Sequence, residues 1–379
     1  MEIGAKVCNL HGYPDELGAC SCGEVKLSGE PLGDLKGEVH PIFAADNWPL
    51  EDFESKEGKK VWKRIEPALQ LATRFLLSKA GLAFFRHVRL GEEGAHAEDQ
   101  GCDRNYLAYD GPSSERNKTK EEQIVIKDLE KLAKRIKCVF SVFFLPDKPD
   151  DQIHAMVTTS RSWFGKKIFI RGDHTKLPRA EEDSQVMMVN EAYKVYAAKQ
   201  NPTPCEYVCF AFKLAFSVAH ETAHASYMRD GEEVAEDSYK EPYYDLEQHN
   251  GTNDVDGALG YALENMLFRD KVSTFNHHMK GIEMQCEPVV KDMVDSHLVH
   301  RESLITFPVN PVWLKCFLTQ SFWDEVDKKS RDEQLEAFYP PKGLEAMVKD
   351  PKDKIERWAV REGAEGGKRS RNYKIARKD

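Results

Sequence analysis

The chain has 379 residues, enough for a sizeable core and, at roughly 150 residues per domain, for two or three domains. With 41% hydrophobic and 31% charged residues, and no apolar run near the ~20 residues of a membrane span, it reads as a soluble globular protein. A formal charge of −10 and a pI near 5.8 exclude the broad basic face that nucleic-acid binding needs.

The first forty residues are rich in Gly, Cys and Pro without a helical period, and the spacing predicts a loop-rich cap over residues 1–45. Within it, Cys8, His11, Cys20 and Cys22 offer three thiols and an imidazole, a set that can close a structural zinc site or stand as loose surface thiols. No basic stretch followed by an apolar stretch opens the chain at Met1–Gly12, so a secretory leader is not expected. The nine cysteines are odd in number and scattered, and Cys138, Cys209 and Cys316 lie in apolar context, which suits a reducing, cytoplasmic setting.

Apolar residues at helical spacing (Val61, Ile65, Leu69, Ala72, Leu76, Ala80 and Ala83) predict one or two helices between Val61 and Val88, with Gly81 as the break. Gly91 to Lys120 is polar and reads as loops. An amphipathic helix is expected from Glu121 to Lys137, and strands at Cys138–Leu145, Ile153–Thr159 and Lys167–Arg171. Glu181 to Lys199 reads as helical, and a strongly apolar helix should run from about Cys205 to Met228, ended by Asp230-Gly231. After an acidic, aromatic loop, helices are expected around Asp256–Phe268, Gly281–His300 and Pro311–Val326. The end of the chain, residues 366–379, carries Lys368, Arg369, Arg371, Lys374, Arg377 and Lys378 and reads as a mobile basic tail. Any weak contact with nucleic acid, or a nuclear address, would reside there.

The apolar helix contains His220-Glu221-Thr222-Ala223-His224. Helical residues four apart differ by about 40° in azimuth and about 6 Å in rise, so both imidazoles leave one face and can share a tetrahedral zinc ion. Glu221, one residue on, can lean toward a water on that ion and act as general base. Glu206 and Lys213 are the only charged residues between Cys205 and His220, and imidazoles and a carboxylate in so apolar a helix need partners to offset their desolvation.

On this motif the chain resembles the zincin metallopeptidases over roughly Cys138 to Phe268. That resemblance implies an α+β fold: an active-site helix under a small mixed sheet, a mainly helical second lobe, and one catalytic domain over residues 46–365. The metzincin continuation is absent, because Ala225-Ser226-Tyr227-Met228-Arg229-Asp230 follows the motif. A third ligand is therefore sought downstream. Glu264, in Gly260–Phe268, resembles the gluzincin arrangement, while Gly251-Thr252-Asn253-Asp254 is similar to the aspzincin one, with Asp256 and His249 as further choices. Zincins add an oxyanion donor, for which Tyr243, Tyr244, Tyr261, His277 and His278 are available. The function implied is a zinc-dependent hydrolase acting on a peptide or amide bond. Its rivals are a zinc lyase, cyclase or isomerase acting on a small molecule, and a binding protein with a closed, structural zinc site.

Overall fold

The computed structural model describes residues 33–94, 106–145, 148–152, 155–159, 169–171, 185–199, 202, 204–228, 241–242, 244, 259–268, 271–273, 283–286, 304–308, 311–339, 345–349, 356–361 and 373–376. Serine caps set out its N-terminal half. Ser55 Oγ accepts the Gly58 N–H and starts α1 (Lys56–Leu77), and Ser78 Oγ accepts the Gly81 N–H and starts α2 (Lys79–Leu90). The break thus falls at Ser78, which has an extended backbone, and not at the expected Gly81. Gly81 serves instead as a close approach, since a Cβ there would sit 2.0 Å from the Phe75 carbonyl oxygen.

The polar stretch read as loops contains a two-stranded ribbon, β1 (Glu92–Gly94) with β2 (Tyr106–Ala108), and the first turns of α3 (Glu115–Arg135). Ser114 caps α3 and so starts it earlier than its apolar period suggests. Next comes β3 (Ile136–Leu145), then β4 (Lys148–Gln152), β5 (Ala155–Thr159), β6 (Phe169–Arg171) and β7 (Gln185–Asn190). The sheet is mixed. Its strands run in the order β4-β3-β7-β5, with β3 parallel to β7, β5 antiparallel to β7, and β6 paired to the far half of β3.

The expected helix over Glu181–Lys199 is therefore half strand. All of Gln185–Asn190 is buried as β7 between two neighbours, and only then does Asn190, accepting the Ala192 N–H, start α4 (Glu191–Ala198). A short apolar run cannot be told from a buried helix by period alone, and here tertiary pairing decided it. The long apolar helix α5 (Pro204–Tyr227) and α6 (Leu259–Phe268) fall close to expectation.

Beyond α6, β8 (Lys271–Ser273), β9 (Glu283–Cys286), β10 (Leu304–Pro308), β11 (Glu345–Lys349), β12 (Glu356–Arg361) and β13 (Tyr373–Ala376) pair antiparallel in chain order. β9 replaces the start of the helix expected at Gly281–His300. β13 lies within the basic tail expected to be mobile: Tyr373 and Ile375 alternate with Lys374 and Ala376, a period of two, and pair with Arg361 to Trp358. Inserted between β10 and β11 are α7 (Pro311–Cys316), α8 (Gln320–Val326) and α9 (Arg331–Phe338). The architecture is mixed α and β, mostly helical with small sheets.

The core centres on Phe75 of α1. Its ring meets Phe212 and Phe216 of α5, Phe268 of α6, and Phe317, Trp323 and Phe338, all edge-on at centroid distances of 5.5 to 6.3 Å, the arrangement that aromatic quadrupoles favour. Cys138 and Cys209 are buried and Cys316 is half-buried. Burial pushes the Cys138 thiol up to about 12, which leaves it a packing group with little thiolate. Among the described residues no helix is long and apolar enough to cross a membrane.

The proposed cap boundary at residue 45 falls inside this core. Ile42 and Phe43 are fully buried, and His40 is 5% exposed, its N–H donating to Thr73 Oγ1 at 2.8 Å while its Nδ1 accepts the Ile42 N–H. Burial lowers the His40 pKa from 6.5 to about 4. Between those values the unfolded chain binds a proton that the folded chain does not, so this contribution is complete above about pH 6.5 and is lost as pH falls toward 4, on the order of 3 kcal/mol in all. Urea unfolding of wild type and His40→Asn across that range should show the wild type losing stability faster with acid. Parallel profiles would contradict this.

Candidate metal centre

From Val208 to Ala219 every α5 side chain except the half-buried Ser217 is buried, the charged Lys213 included, and apart from Lys213 and Ser217 this stretch is apolar all round. The chemistry sits in its last two turns, which are tied down on two sides. Gln185 of β7 donates from Nε2 to the Ala225 and Met228 carbonyls, two of the acceptors that a helix end leaves open. The fully buried Thr222 returns its hydroxyl to the Val218 carbonyl at 2.7 Å.

His220 and His224 turn their rings toward one another, with 3.0 Å between the two Nε2 atoms. Each Nδ1 meets a carboxylate: Glu264 Oε1 lies 2.5 Å from that of His220, and both oxygens of Glu241 lie 2.8 Å from that of His224. Glu221 accepts the Val157 N–H of β5 on Oε2 at 2.7 Å, while its Oε1 is 4.0 Å from His220 Nε2. Glu221, Glu241 and Glu264 are 6%, 8% and 4% exposed. Burial alone would lower the His224 pKa, but the Glu241 carboxylate, with Glu221 and Glu264 beyond it, outweighs this and raises it to about 9. Burial would likewise raise Glu241, and the His224 imidazole beside it holds it below the usual carboxylate range.

Helix α6 approaches closely because of a glycine. A Cβ on Gly260 would lie 2.3 Å from the His220 ring, so only glycine admits the imidazole there. The next residue, Tyr261, meets the same ring edge-on, with centroids 4.9 Å apart.

The two Nε2 atoms match two positions of a tetrahedral zinc ion, and among the described residues Glu221 is the only other side chain grouped with them. With Zn–N bonds of about 2.0–2.1 Å and a tetrahedral angle, two ligating nitrogens stand about 3.3 Å apart, near the observed separation. Each Nδ1 faces a carboxylate, and both Nε2 atoms turn toward one shared position. Carboxylates behind ligating imidazoles are the usual supporting shell of such sites.

Of the residues expected from sequence, His220, Glu221, His224, Glu264 and Tyr261 are brought together. Glu264 stands behind the His220 ring rather than between the Nε2 atoms, and in this arrangement it orients the imidazole. Among the described residues, His220, Glu221 and His224 are the only group of three His, Cys, Asp or Glu side chains with donor atoms within 4.8 Å of one another. Tyr244 packs elsewhere, stacked on Phe84. His249, Asp254, Asp256, Tyr243, His277, His278, Cys8, His11, Cys20 and Cys22 lie outside the described residues. Sequence reasoning missed Glu241, one acid among many in a segment read only as an acidic loop.

Gly260→Ala should push the His220 ring out of register and lower zinc affinity by about tenfold or more, measured by competition against a chelator. Wild-type affinity in that variant would show that the close approach does not matter. In comparisons with known proteins, no family model matches the chain, and no curated protein and no solved structure matches it.

Proposed function

We propose that the chain is a zinc-dependent hydrolase of zincin type, acting on a peptide or amide bond. The reading is carried by the two Nε2 atoms 3.0 Å apart on consecutive turns of α5, each imidazole backed by a carboxylate, with Glu221 beside them. Zinc held by His220 and His224 would supply Lewis acidity, polarising the carbonyl under attack and acidifying water.

The chain's own groups do the rest. Val157 N–H fixes one oxygen of Glu221, and the other remains beside the His220 Nε2 without bonding to it. Glu221 Oε1 is thus placed to take a proton from attacking water and pass it to the leaving amine. Tyr261, against the His220 ring, is our choice among the described residues for a hydroxyl that steadies the oxyanion.

One feature supports a peptide over a small molecule. β5 stands at the end of the sheet order, and Val157, its central residue, points its N–H at Glu221. Apart from the Val157 N–H that Glu221 takes, the outward backbone groups of this strand, the last in the sheet among the described residues, are what an extended chain could pair with.

Glu221→Gln should retain zinc at wild-type stoichiometry while cleavage of a mixed peptide library falls by roughly 10²–10⁴-fold. Metal analysis and mass spectrometry of the digests read the two outcomes. Loss of zinc would make Glu221 a ligand, and zinc-loaded wild type that cleaves no peptide would rule out the peptide substrate.

A further inference from the structure

Glu241 stands in a segment anchored on three helices. Its carboxylate takes His224 Nδ1 at 2.8 Å from both oxygens and also accepts the Leu259 N–H, at the start of α6, at 2.8 Å. Pro242 is buried. Three residues on, the Tyr244 ring lies flat on Phe84 of α2, with centroids 4.9 Å apart and planes within 7°, and 4.1 Å from the His87 ring. Its hydroxyl reaches Met266 Sδ of α6 at 3.8 Å. A carboxylate fixed in this way on the outer nitrogen of an imidazole determines which nitrogen is left to bind a metal.

We propose that Glu241 is a positioning residue of the metal centre, which holds His224 as the Nδ1–H tautomer and so commits its Nε2 to the ion. The proposal rests on the zinc reading above. It extends that reading by making the centre symmetric, with Glu264 behind His220 and Glu241 behind His224, and by drawing a residue of the segment after α5 into the site. Glutamine at position 241 keeps the size and one carbonyl oxygen, but it removes the negative charge and puts an NH2 donor, which cannot accept from His224 Nδ1, in place of one of the two carboxylate oxygens 2.8 Å from it. Were Glu241 only a partner for the positive end of α6, its loss would weaken the fold but leave zinc affinity and ring protonation unchanged.

The test combines chelator competition for zinc on wild type and Glu241→Gln with nitrogen-15 spectra of the histidine rings in the zinc-loaded full chain. The expected result is zinc on Nε2 of His224 with Nδ1 protonated in the wild type, and a 10- to 100-fold weaker affinity in Glu241→Gln. Zinc on Nδ1 of His224, or an affinity within about twofold of wild type in the variant, would overturn the proposal. If Glu241→Gln does not fold, the wild-type ring spectrum alone decides. A wild type that takes up no zinc would instead remove the hydrolase reading, whereas a tight wild-type site indifferent to Glu241 would remove only this one.

Discussion

Two half-buried imidazoles and three buried carboxylates meeting at the end of an apolar helix must compensate one another, and much of the surrounding structure follows from that requirement. None of the five can be left without partners at tolerable cost. Hence Val157 gives its N–H to Glu221, Leu259 gives its N–H to Glu241, and the carboxylates of Glu264 and Glu241 close on the imidazoles. These contacts draw β5, α6 and the 241–244 segment onto one helix end. The pairing of the two Nε2 atoms at 3.0 Å, each imidazole backed by a carboxylate, is the physical reason for reading the centre as a metal site.

Such a cluster tolerates little movement, and the core explains how it is held. Phe75 locks α1 against α5 and α6 through Phe212, Phe216 and Phe268, fixing the spacing between the helix that bears the imidazoles and the helix that bears Glu264. Gly260 lets the two approach until the His220 ring fills the space of a side chain. A functional site on rigid, close-packed elements loses little ordering entropy when its ligand arrives. Packing in the aromatic core and the geometry of the centre are thus linked.

Much of this was legible in the sequence where one local rule was sufficient. The apolar run before His220 fixed α5, the i, i+4 spacing fixed the imidazole pair, and the apolar context of Glu264 pointed to α6. Legibility failed where a distant partner made the decision. Val186–Val189 has no period that separates a buried strand from a buried helix, and it became β7 because β3 and β5 flank it. Lys374 and Arg377 suggested a solvated tail, yet Tyr373 to Ala376 pairs with β12. Glu241 was invisible for the same reason: its role comes from contacts with His224 and Leu259, 17 and 18 residues away, and nothing beside it in the chain sets it apart from Glu232, Glu236 or Glu247. Even for Glu264 only the neighbourhood was legible and not the atom, since which imidazole nitrogen it meets is a matter of geometry.

Zinc-edge X-ray absorption on the full chain, with Cys20 and Cys22 replaced by serine so that the N-terminal thiols do not contribute, would show whether the two Nε2 atoms hold a zinc ion between them. One zinc per chain is expected, with a nitrogen and oxygen shell at about 2.0–2.1 Å and the outer-shell scattering of two imidazoles, which disappears in a variant that also carries His220→Ala and His224→Ala. A chain that retains no zinc, or a spectrum unchanged by removing both histidines, would contradict that expectation.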